Sequence, residues 1–128
     1  MSDLSITFRG KTIDINSGLL EVFLRFASLH IEVPTDEVGT EIRNDWLFIS
    51  SGGHSEILSP DFDLYLNSDV GISVAVSALR SALASFERGP KYIDHSHLNL
   101  LWAGERFTSG IDSEKMIKVG RSLLSIIC

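Results

Sequence analysis

The chain has 128 residues, 44% of them hydrophobic, and a formal net charge of −6. That is enough for one domain spanning residues 1–128 with its own core, and too apolar for a disordered chain. One cysteine, Cys128, excludes an internal disulfide, and the start Met1-Ser2-Asp3-Leu4 lacks the basic and apolar regions of a signal peptide.

Leu4, Ile6 and Phe8 alternate with Ser5 and Thr7, and Ile13 and Ile15 flank Asp14. With Arg9-Gly10-Lys11 between them, the two runs predict a β-hairpin. Asn16 or Ser17 then caps a helix reaching about His30, with Leu19, Leu20, Phe23, Leu24 and Ala27 on its apolar face. Pro34 and Gly39 bracket a polar loop that holds Asp36 and Glu37.

A second strand block is expected next. Asp45-Trp46-Leu47-Phe48-Ile49 is aromatic and β-branched, Ser50 to His54 reads as a turn, and Glu56-Ile57-Leu58 as a short return strand. Phe62, Leu64 and Leu66 alternate with Asp63, Tyr65 and Asn67, the period of a half-exposed strand.

The period changes after Ser68 and Asp69, either of which caps a helix over 70–88 that ends at Gly89-Pro90. Its one charge between Val70 and Phe86 is Arg80, so burial on most sides is expected, with Val76, Leu79, Leu83 and Phe86 on one face. Residues 91–107 fit helix better than strand. Asp112 or Ser113 caps a last helix to about Ile127, in which Gly120 marks close approach of another element. The layout predicts an α+β fold, a small antiparallel sheet with about four helices packed on it. No apolar stretch reaches the ~18 residues of a membrane span. A cytoplasmic protein without membrane contact is the expectation.

No cofactor or catalytic motif is present, and an enzyme is not expected. Asp94-His95-Ser96-His97 is the one cluster that resembles metal ligands, but a third ligand at an informative spacing is missing. A polar segment in which Asp94 caps a short helix is the simpler reading, so no metal or cofactor is expected.

The charge distribution is the strongest signal. Residues 31–69 hold nine acids and one base, Arg43, a local net charge of −8. A field of one sign repels nucleic acid and favours a basic partner. The candidate binding residues are Glu32, Asp36, Glu37, Glu41, Asp45, Glu56, Asp61 and Asp63, with Trp46, Phe48, Phe62 and Tyr65 as anchors if they point outward.

In size, acidity and layout the chain resembles bacterial immunity proteins, including those of contact-dependent growth inhibition systems. The resemblance lies in this general character and carries no residue over by position. It implies a cytoplasmic protein that neutralises a cognate toxin, a nuclease with a basic cleft fitting best. A small acidic adaptor or secretion chaperone, acting as a dimer through the helix at 70–88, is the alternative. A monomer is expected over a dimer.

Overall fold

A computed structural model describes residues 3–31, 37–51, 60, 62–102, 107 and 109–128. The hairpin forms as its alternation requires. Strands β1 (Asp3–Phe8) and β2 (Lys11–Asn16) pair antiparallel, with Ile6 opposite Ile13 and Phe8 opposite Lys11. Asn16 accepts the backbone N–H of Leu19 at 3.1 Å and caps helix α1 (Ser17–Ser28). Leu20, Phe23, Leu24 and Ala27 are buried from this helix, the spacing of a helical stripe.

Two expected strands are helices instead. Residues 45–49 lie within α2 (Glu37–Ser50), which also absorbs Gly39 from the expected loop. Ile42, Trp46 and Ile49 are its buried side, at spacings of four and three, and they pack on α1. Residues 62–65 form the short helix α3 (Phe62–Tyr65). Phe62, Tyr65 and Leu66 are buried, whereas Leu64 is 58% exposed. A strand would have turned Phe62, Leu64 and Leu66 inward together. Of the expected turn at 50–54, Ser50 ends α2 and Ser51 is a turn residue; the rest of it and the return strand at 56–58 lie outside the described residues.

Helix α4 (Asp69–Arg88) begins where Ser68 accepts the N–H of Gly71 at 3.2 Å. The strand β3 (Tyr92–Ile93), the helix α5 (His95–Trp102) and the strand β4 (Ile111–Asp112) follow, and Asp112 caps α6 (Ser113–Ile127). β3 and β4 pair antiparallel, and Ser113 ties to the carbonyl of Lys91 through both its N–H and its hydroxyl. The fold is therefore α+β as expected, but with two sheets of two strands each rather than one, and with six helices among the described residues. One continuous hydrophobic core joins the hairpin to the helices.

α4 departs from the expected burial. Its inner face is Ala75, Ala78, Leu79, Ala82 and Phe86, with Val76 and Leu83 on the flanks and Ser73, Ser77 and Arg80 exposed. It is buried along one side only. α4 also amends the expectation about membrane spans, because an 18-residue window within it has mean hydropathy 1.3. That value comes from Val70, Ile72, Val74, Val76, Leu79, Leu83 and Phe86, and the buried side packs on α6 and α1 as a core helix does.

Gly120 does mark a close approach. A β-carbon there would lie 2.8 Å from Cζ of Phe23 and 3.2 Å from Cδ1 of Leu83. Phe23 is fully buried and tilted against Phe86, so it has no room to swing aside. Alanine gains ~1 kcal/mol in helix propensity, but overpacking costs ~1–3 kcal/mol. Gly120→Ala is therefore expected to lower stability in urea unfolding, against its propensity. A gain in stability would mean that α1 and α6 are not in contact here.

Candidate functional site: the acidic face of the second helix

Glu37 and Glu41 stand one turn apart on α2, and both are exposed. Asn44 and Phe48 continue the same face at spacings of three and four. The stripe lies opposite the buried Ile42, Trp46 and Ile49, so the packing that fixes α2 on α1 also holds the acids outward. Among the described residues no basic group pairs with Glu37, Glu41 or Asp63. Glu37 sits in the first turn of α2, where a negative charge also favours the helix.

Asp45 has a different task. Its carboxylate accepts the hydroxyl of Tyr65 at 2.6 Å, and that phenol oxygen accepts the indole N–H of Trp46 at 2.9 Å. Trp46 and Tyr65 are both fully buried. A buried indole N–H and phenol need partners, and each supplies the other's. The chain of bonds pins α3 against α2 and commits one expected binding acid to structure. Tyr65→Phe leaves the indole N–H and the carboxylate without this link, a loss of ~1–3 kcal/mol. Urea unfolding of the variant measures it; wild-type stability would show that the link is not formed in solution.

Of the eight acids the sequence singles out, Glu37, Glu41 and Asp63 are exposed, and Asp45 is half-buried and hydrogen-bonded. Glu32, Asp36, Glu56 and Asp61 lie outside the described residues. Of the four expected aromatic anchors, Trp46, Phe62 and Tyr65 are buried and belong to the core. Phe48 is 59% exposed and is the one of the four that points outward. Leu64, beside Asp63, is an exposed apolar residue that the strand reading hid.

Elsewhere, Asp94 stands just before the first turn of α5. Its carboxyl is held below the usual carboxylate range, first by the hydroxyl of Ser96, which acts against desolvation, and further by His95 and the backbone N–H groups of Ser96 and His95. Nδ1 of His95 lies 3.3 Å from Asp94. On a helix His95 and His97 point to different sides, so they do not share a face on which to chelate a metal. Among the described residues no three His, Cys, Asp or Glu side chains are grouped to hold a metal ion. His97 borders an open apolar cleft of about 360 Å³ between the ends of α1 and α4 and one side of α5, walled by Phe26, Phe86, Pro90, Ile93 and Leu100. The basic side chains Lys115, Lys118 and Arg121 are exposed on α6, with Arg121 paired to Glu87 at 3.1 Å.

No family model, no curated protein and no solved structure matches this chain.

Proposed function

We propose that this protein is an immunity-type inhibitor that binds and neutralises a cognate protein toxin bearing a basic cleft, a nuclease by preference. The observation that carries the reading is the exposed stripe of Glu37 and Glu41, without a basic partner among the described residues and in line with the exposed Phe48. An ordinary solvated helix face mixes signs, because unbalanced like charges cost stability. A stripe of acids presents carboxylates to a basic cleft much as a phosphate backbone would. Its field steers association, and an aromatic at its end provides an anchor that slows departure. The reading assigns no catalysis to this chain. It needs neither metal nor cofactor.

The test is capture from the native host with the chain as bait, followed by an activity assay of what is captured. A basic toxin that loses its nuclease activity on stoichiometric addition of this chain supports the reading. A stable partner that is acidic, or that keeps full activity in the complex, overturns it.

The apolar cleft beside Phe86 and Leu100 favours a second reading, the small acidic adaptor or secretion chaperone. Such proteins hold clients in apolar grooves rather than on charged faces. Salt separates the two readings. Association through the acidic stripe slows as salt rises, whereas an apolar client holds or tightens.

A further inference from the structure

The open edge of β1 carries an inference independent of the acidic stripe. Arg9 and Gly10 both have positive φ, 51° and 80°, which makes the two-residue turn of a tight hairpin. In such a hairpin the flanking residues Phe8 and Lys11 exchange both backbone bonds. The bonded pairs then alternate: Phe8, Ile6 and Leu4 bond to β2, while Thr7 and Ser5 do not. The close side-chain pairs fit this assignment, since Thr7 meets Thr12 at 2.8 Å and Ser5 bonds Asp14. The N–H and C=O groups of Ser5 and Thr7 therefore point away from β2. Among the described residues no backbone bond takes them up, and the sheet ends there.

Natural edge strands are guarded by lysine, proline, inward charges or bulges. β2 carries Lys11 and Asp14 and packs on α6 and α1. β1 has no such guard from Leu4 to Phe8. Its sequence is also complementary to itself. With Ile6 placed opposite Ile6 of a second copy, Ser5 faces Thr7 and Leu4 faces Phe8, each on its own side of the sheet. The outward backbone groups are those of Ser5 and Thr7, the residues this register brings opposite each other.

We propose that β1 pairs antiparallel with β1 of a second copy about a two-fold axis at Ile6, giving a four-stranded sheet in the order β2-β1-β1-β2. The interface is isologous, so it closes at two copies. This departs from the monomer expected from the sequence, and it uses a different element from the 70–88 helix of the chaperone alternative.

Sedimentation velocity over a concentration series tests the proposal. Wild-type chain is expected to reach twice the chain mass. Thr7→Pro removes an outward N–H while sparing the bonds to β2, so it is expected to give a monomer with an unchanged far-ultraviolet spectrum. Ser5→Lys with Thr7→Lys sets lysine against lysine on the exposed face at both pairs beside the two-fold axis. It is expected to weaken the dimer about tenfold. Should Thr7→Pro unfold the chain, this charge variant decides alone. A wild-type chain that stays monomeric throughout, or a dimer indifferent to the two lysines, overturns the proposal.

Discussion

Leu79→Ala is expected to cost ~2–5 kcal/mol of stability, the range for deleting a fully buried leucine. Leu79 is completely buried at the centre of the inner face of α4, between Ala78 and Ala82 and against the main packing partner of that helix, α6. Its neighbours on that face, Ala75, Ala78 and Ala82, are small. They have no long side chains that could reach over and fill the space a leucine leaves. The surroundings therefore collapse poorly, which raises the cost of the cavity. Leu83 is the matched comparison. It has the same chemistry and sits one turn later, but it is only half-buried, on the flank beside Gly120. Leu83→Ala is expected to cost less than half as much. Urea unfolding of both variants reads the difference. Equal losses would mean that the buried side of α4 is rotated from the one described, and a loss below ~0.5 kcal/mol at Leu79 would remove α4 from the core.

That comparison also shows what the sequence made legible. The hairpin, α1, α4 and α6 were readable because caps and periodicity agreed. Asn16, Ser68 and Asp112 each accept a backbone N–H at the helix start where the pattern placed a cap. The inner face of α4 was harder. Large apolar residues advertise a buried side, and Val76 and Leu83 draw attention to a flank, while Ala75, Ala78 and Ala82 signal the buried side only weakly. α2 is hard to read because Trp46-Leu47-Phe48-Ile49 is a short apolar run, which periodicity alone cannot assign. The deciding signal is longer: Ile42, which precedes the expected strand, keeps helical spacing with Trp46 and Ile49. α3 is four residues long, too short to display a period, and tertiary contact with Trp46 and Asp45 settles it. β3 and β4 are two residues each and had no readable signal. The site followed the same logic. Charge placed the acidic segment, but only the helix geometry separates Glu37 and Glu41, which share an exposed face, from Asp45, which serves the core.

Reversing that face, Glu37→Lys with Glu41→Lys, is expected to slow association with the cognate partner more than any other surface change. Both side chains are exposed on one helical stripe, so the variant turns that stripe from acidic to basic, halves the net charge of residues 31–69 from −8 to −4, and leaves the buried side of α2 untouched. Attraction to a basic cleft is then weakened. The effect should shrink as salt rises, because screening limits the field to ~8 Å at physiological ionic strength. If partner arginines bury either acid, the loss reaches ~2–5 kcal/mol and extends to dissociation. Phe48→Ala is expected to act on dissociation alone, since it removes contact area rather than charge. Asp45→Lys is a poor probe of the interface, because it also breaks the bond to Tyr65 and loosens α3. Asp63→Lys tests whether the face extends onto α3, where that residue is exposed. The control is reversal of Lys115, Lys118 and Arg121 on α6, which should leave association nearly unchanged. Association and dissociation rates for this series, measured at low and physiological salt, decide the matter. If the α6 reversals abolish binding while the Glu37 and Glu41 pair is neutral, the partner docks on the basic side and the acidic stripe of α2 is not the interface.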